Sequence, residues 1–401
     1  MGNRVINIHQ SFWGEVNHGH DLITTSLNND VLNQTLSSFT DRPGSTYGRN
    51  IRPYFSGKKI GDYFVFTKSY PDDTSSRTGM VFTHALIFST KEITSVKNID
   101  FVFRLFSDKM PVKPSRNELL YFIRQKIKDC SDDSQTMYPK YIQTAVRSLS
   151  TGNMPIIFSG EVTNFIQLIT QIWKVDFPTL RENISFQIAF TPNDIQQNTS
   201  FVFAPNEFLD KWIAYPIIND KEDFLIQIEN EVEELLLGNS ESNTFLSFLK
   251  DLSTTPDSYK TISICHRTYN LYNKLNTCSV SETLQLIRSI ATISPQTNES
   301  HVKAKAIDRL CFLLPTVSED EIKGLRNIDF SAFSDGLKKI VSSIDQFLDN
   351  QFQSSNPKLE QLSQFLLEVF EKQENVKWWR NAIEDKFISI LKIISDFSII
   401  W

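Results

Sequence analysis

The chain has 401 residues, 40% of them hydrophobic and 22% charged, with 31 phenylalanines, which excludes a disordered chain and leaves room for two or three domains. A formal charge of -6 and a pI near 5.6 argue against broad nucleic-acid affinity, although residues 1–110, with 12 Lys and Arg against 10 Asp and Glu, carry +2 and leave -8 to the remainder. No apolar run reaches the ~20 residues of a membrane helix, and four scattered cysteines (Cys130, Cys265, Cys278, Cys311) with no CxxC pair and no secretory signal point to reduced thiols in a cytoplasmic protein.

The first 110 residues read as strands and turns. Val5 to Ile8, Tyr63 to Tyr70, Met80 to Phe88 and Phe101 to Phe106 are rich in aromatic and β-branched residues. Arg42-Pro43-Gly44, Ser56-Gly57 and Pro71-Asp72-Asp73 supply turn chemistry between them, and one helix is predicted over 30–39. In Ser11 to Leu22, SFWGEVNHGHDL, we expect a connection after the first strand, with bends at Gly14 and Gly19 and with Phe12, Trp13 and Leu22 anchoring it to the core.

From Pro114 the spacing of Ser115 and Glu118 predicts a capping box, with Leu119, Ile123 and Ile127 on one helical face. Helices are predicted over 140–149 and 162–173, with a short buried strand over 155–158 between them. Ile184, Phe186, Ile188 and Phe190 alternate with Ser185, Gln187 and Ala189 as a half-buried strand does, and Phe201 to Phe203 is its expected partner.

After about Asp220 helices follow one another. Phe224, Ile228, Val232 and Leu235 form a stripe closed by Gly238; Ser279 and Glu282 have capping-box spacing ahead of Leu284 and Ile287; Leu337, Ile340, Val341, Ile344, Phe347 and Leu348 recur at helical spacing; and Asn356-Pro357 opens another helix. No repeat of fixed period is visible, which favours a bundle over a solenoid. The reading is an α+β chain with a β-rich N-terminal domain over 1–110, a mixed α/β segment over 111–218 and an all-α helical bundle over 219–401.

Four of six histidines, His9, His18, His20 and His84, fall in the first 84 residues. A His-x-His pair, a distant third histidine and Asp21 would suffice for zinc; the alternative is hydrogen-bonded structural histidines beside an Asn17-His18-Gly19 turn. No GxSxG elbow, GxxxxGK[ST] loop or strand-led GxGxxG occurs, so no catalytic residue, metal or cofactor is assigned. Arg42, Arg49, Arg52, Lys58 and Lys59 form the densest basic stretch of the N-terminal part. With Trp378 and Trp379, they are the candidate partner-binding residues.

Several blocks stand in one order: His9-Gln10, Gly19-His20-Asp21-Leu22, Thr40-Asp41-Arg42-Pro43, Pro53-Tyr54-Phe55-Ser56-Gly57, Asp62 to Lys68, and Arg77 to Ile87. Together they resemble the N-terminal domain of bacterial GTPase-associated proteins of conflict, or anti-phage, systems, with a weaker echo in Trp173, Leu180, Arg181 and Ile184 to Phe190. The family pattern matches His9, His20 and His84 but not His18, so the constellation it implies is His9, His20 and His84 converging at one end of a sheet; with Asp21 beside His20 they form the candidate polar cluster.

The resemblance implies an adaptor, sensor or regulatory scaffold working beside a neighbour-encoded GTPase or effector; the reading is a non-enzymatic component whose helical half, which the resemblance does not cover, recognises a phage protein trigger or holds the effector. The competing readings are a metal- or histidine-dependent hydrolase using His9, His20 and His84, and a nucleic-acid-binding sensor using the Arg42 to Lys59 stretch, which the net acidity disfavours.

Overall fold

The computed structural model describes residues 4–44, 51–127, 139–152, 155–175, 177–221, 229–237, 243–353, 364–365, 367–369 and 378–393. Two compact units divide the chain, one of Met1–Asn243 with Pro256–Ser263, the other of Thr244–Thr255 with Ile264–Trp401. The N-terminal β-sheet region, mixed α/β middle and helical C-terminal part expected from the sequence are all present.

Among the described residues the first unit has ten strands: β1 (Arg4–Val16), β2 (Gly19–Thr25), β3 (Tyr54–Ile60), β4 (Tyr63–Pro71), β5 (Val81–Ser89), β6 (Ile123–Ile127), β7 (Ile156–Ser159), β8 (Phe186–Ile188), β9 (Phe201–Phe203) and β10 (Ile217–Asn219). They run in the order β10-β7-β9-β8-β3-β4-β5-β1-β2, with β6 also on β1. The five strands from β3 to β2 are antiparallel and the four from β10 to β8 are parallel, and one residue pair, Gly57 opposite Phe186, joins the two parts.

β4 and β5 are buried along nearly their whole length, because helices lie on both faces. On one face α1 (Asp30–Thr40), capped by the Asn29 side chain, packs Leu32, Leu36 and Phe39 against Trp13, Val65, Ala85 and Ile87. Alternation then puts Phe64, Phe66 and Phe88 on the other face. There they meet α3 (Asp100–Arg104), after the single turn α2 (Thr90–Ile93), and the end of α5 (Val162–Trp173). The Phe66 ring lies 5.6 to 6.2 Å from those of Phe88, Trp173, Phe103 and Phe186. Buried Arg181, on α6 (Pro178–Asn183), donates to the carbonyls of Trp173, Thr94 and Val175. α4 (Lys140–Ser150) and α7 (Glu231–Leu236) also belong to this unit.

Four local expectations are corrected. Ser11 to Leu22 is a hairpin, not a bent connection: β1 continues to Val16, and Asn17 and His18, at φ 50° and 62°, make the two-residue turn into β2. Residues 114–127 are not a helix. The Ser115 N–H does donate to the Glu118 carboxylate, but Asn117 at φ 60° breaks the turn, and Ile123–Ile127 pairs instead with Arg4–Ile8. Phe101 to Phe106 is not extended: its first four residues lie in the helix Asp100–Arg104, the Asn98 side chain accepts the Asp100 N–H, and an apolar run this short carries no period of its own. Ser56-Gly57 lies inside β3, where glycine is needed because the Phe186 ring occupies the place of a Cβ.

In the second unit α8 (Thr244–Asp251), α9 (Tyr259–Asn273, from residue 264 on), α10 (Val280–Ile293), α11 (His301–Leu313), α12 (Glu319–Ile322), α13 (Gly336–Gln353) and α14 (Trp378–Ile393) follow in order. The Ser279/Glu282 capping box forms, and Ile340, Ile344, Phe347 and Leu348 are buried as expected. Phe224, Ile228, Gly238, Asn356, Pro357 and Cys130 lie outside the described residues.

Candidate functional site

The polar residues of the N-terminal unit gather where the C-terminal end of α1 crosses the sheet. Cross-strand pairing aligns Tyr54 with Ser69, Ser69 with Thr83 and Thr83 with Trp13, so one row spans β3, β4, β5 and β1 on the α1 face. The Thr83 hydroxyl donates to the Thr40 carbonyl at 2.7 Å, so Ser69, 2.8 Å from it, donates to Thr83. A carbonyl that α1 cannot satisfy internally is thereby paired in a dry setting, as a buried helix end requires.

His20 closes this belt at its β2 end, stacked on Trp13 with ring centroids 6.4 Å apart. Thr40 Oγ1 gives its proton to the Leu36 carbonyl, so it accepts from His20 Nε2 at 3.1 Å. That bond assigns the Nε2–H tautomer and leaves Nδ1 facing Asp41 Oδ1 at 3.8 Å. Burial lowers the His20 pKa, which the nearby Asp41 and Asp21 carboxylates only partly offset. Burial likewise raises the Tyr54 phenol above its ordinary range. Asp41 and Arg42, with Phe39, Tyr54, Gln187 and Asp194, line an open cleft of about 270 Å³ beside the belt.

The candidate histidines are not brought to one point. His84 pairs with Phe12 and stacks on it at 4.4 Å on the face opposite Ala85, and therefore opposite His20. Its Nε2 meets Gln10 Oε1 at 3.0 Å, and burial lowers its pKa to about 4. His9 shares the face of His20, but six positions along β1 separate it from Glu15, the residue opposite His20, roughly 20 Å of strand. Its Nδ1 lies 3.3 Å from the Ser26 carbonyl. Asp21 is exposed and accepts the Leu22 N–H. Among the described residues no three of His, Cys, Asp and Glu stand close enough to hold a metal ion.

The basic candidates separate too. The Arg42 guanidinium packs on Gly79, whose φ of +80° and lack of a side chain make room for it, so the Arg42 and Arg77-to-Ile87 blocks meet in space. Lys58 bonds Gln196 and lies over the Phe39 ring, while Lys59, on the other face of β3, pairs with Glu182. Arg52 is exposed, and Arg49 lies outside the described residues. In the second unit Trp379 is buried, and Trp378 donates to the Ile328 carbonyl at 2.9 Å.

Sequence reasoning assigned no role to Thr40, Ser69 or Thr83. Their signal was polar residues inside otherwise apolar strands and at a helix end, which only the register converts into a row. No helix among the described residues is long and apolar enough to cross a membrane. No curated protein matches the chain. The β1-to-α3 part of the sheet, with its hairpin, its α1 cover and its polar belt, is similar to a known family: residues 7–106 match the family described as GTPase-associated protein 1, N-terminal domain type 1.

Proposed function

We propose that the protein is a non-enzymatic, cytoplasmic adaptor or sensor of a bacterial anti-phage conflict system. Its N-terminal sheet binds a neighbour-encoded protein such as a GTPase or effector, and its helical part recognises a phage protein or holds the effector. The observation that carries this reading is the match of residues 7–106 to a GTPase-associated domain. The geometry supports it, since buried His84 and the largely covered His20 side chain lie on opposite faces of the sheet and each commits its Nε2 to a neighbour, Thr40 for His20 and Gln10 for His84. Such groups hold strands and helix in one arrangement, which is what a docking platform needs.

The test is co-expression of the full chain with each neighbour-encoded protein and size-exclusion chromatography of the tagged product. A stoichiometric complex with one of them is expected, and its absence with all of them overturns the reading. Elemental analysis of the same preparation discriminates the histidine-dependent hydrolase: stoichiometric zinc lost in His20→Ala would replace the adaptor with an enzyme.

A further inference from the structure

α1 covers β1 along only part of its length. Trp13, and Ala85 opposite Ser11, pack against the helix, whereas the same face of β1 continues outward through His9, Asn7 and Val5. β6 extends that uncovered face, because Val5 pairs with Lys126 and Asn7 with Arg124, and the next position brings the Phe122 ring to 6.0 Å from that of His9. Val5 is 48% and Phe122 42% exposed, and Asn7, Arg124 and Lys126 are exposed as well. The reverse face of the ribbon, with Ile6, Ile8 and Ile127, is buried. Among the described residues, therefore, the outward face is exposed while the reverse face is buried.

Its chemistry is one-sided. The Arg124 guanidinium lies 5.7 Å over the Phe122 ring, and neither Arg124 nor Lys126 enters an ion pair among the described residues. The stretches Arg4 to Gln10 and Leu119 to Ile127 contain no Asp or Glu, in a chain whose net charge is -6. Leu119 and Tyr121, 73% and 74% exposed, extend the apolar surface at the head of β6. Unneutralised cations beside exposed aromatic and aliphatic groups are complementary to carboxylates interleaved with large apolar side chains. Two cations are too few to hold a phosphate backbone against the acidity of the whole chain, which favours protein over nucleic acid.

We infer that the bare face of the β1–β6 ribbon, centred on Phe122, Arg124 and Lys126, docks an acidic, aromatic-bearing segment of a partner protein. This rests on the adaptor reading and adds to it the place and the chemistry of the contact.

The probe is a fluorescently labelled random glutamate–tyrosine copolymer, titrated with the full chain and followed by anisotropy. Saturable binding is expected, weakened at least about tenfold in Arg124→Glu/Lys126→Glu and about threefold in Phe122→Ala. The charge-matched pair Lys305→Glu/Lys338→Glu, on exposed helical positions, should stay within about twofold of the parent. No saturable binding, equal losses in the two double variants, or tighter binding of an oligothymidylate than of the copolymer overturns the inference. The two readings fail separately. A neighbour-encoded complex that survives Arg124→Glu/Lys126→Glu intact refutes the surface and leaves the adaptor, whereas patch-dependent copolymer binding with no neighbour-encoded complex refutes the adaptor and leaves the surface.

Discussion

The antiparallel and parallel parts of the sheet meet at Gly57 and Phe186, so a methyl group at residue 57 tests whether that join is as tight as its geometry implies. The added Cβ would stand 2.5 Å from Cε1 and 2.6 Å from Cζ of Phe186, and 3.3 Å from Cδ1 of Phe66. Carbon atoms pack at about 3.5 to 4.0 Å, so roughly 1 Å of overlap must be relieved by moving the Phe186 ring. That ring is 1% exposed and has Phe165, Phe66 and Phe103 within 6.0 to 6.4 Å, which leaves it no open direction. Overpacking of this kind costs about 1–3 kcal/mol, against about 0.5–1 kcal/mol gained by replacing glycine where its backbone freedom is not needed. Gly57→Ala should therefore lose about 1–2 kcal/mol, a drop of roughly 0.5 M in the urea midpoint. Phe186→Leu removes the two clashing atoms, so in a double-mutant cycle the alanine should cost far less in the Phe186→Leu background than in the parent. Equal cost in both backgrounds, or a Gly57→Ala protein as stable as its parent, would refute the close approach.

Other buried groups yield quantities of similar size. His84 is held neutral with a pKa of about 4, below an unfolded value near 6.5, so the unfolded chain binds more protons between those limits. Its stabilisation is complete above pH 6.5 and fades as the pH falls toward 4, by up to ~3 kcal/mol. Urea midpoints measured across that range should show a shallower slope in His84→Phe, and an unchanged slope would count against the burial argument. Arg181→Lys keeps the charge but cannot direct donors at three separate carbonyls, and should cost about 2–3 kcal/mol in the same assay; a loss below ~0.5 kcal/mol would mean the fork is dispensable. Ser279→Ala removes the N-cap of α10 and should cost about 1 kcal/mol, read as the midpoint shift of the helical unit.

Much of this fold was legible from the sequence because several segments carry a period or a cap. α1, α5, α10, α13 and the short strands β7 and β9 follow directly from apolar spacing and from the Ser279/Glu282 pair. Two of the errors fall where a tertiary partner overrides a local signal. Ser115 and Glu118 do form the bond that heads a helix, yet five pairs with β1 make the following residues a strand. Gly57 reads as a turn residue until the Phe186 ring is in place above it. The site was harder to read than the fold. Histidine spacing identifies chemically rich residues but cannot assign faces, and Phe12 opposite His84 with Thr83 opposite Trp13 is a fact of register alone.

Strand β1 links the buried belt to the bare ribbon. β1 is a single strand of thirteen residues. Around Trp13 it is buried, and the Thr40 carbonyl at the end of α1 is met there by Thr83, which draws Ser69 and the neighbouring His20 into one network. The N-terminal half of β1 runs on beside β6, and Val5 and Asn7 there keep an exposed outward face among the described residues. Stiffness in one half and availability in the other therefore belong to one strand. The consequences of substitution divide the same way. Changes in the belt act on binding through the stability of the platform, whereas changes at Arg124 and Lys126, exposed and free of ion pairs among the described residues, act on binding with little cost to the fold. His9 stands at the boundary, with one nitrogen on the Ser26 carbonyl and its ring toward Phe122, which makes it the one member of the original histidine set that belongs to the docking face.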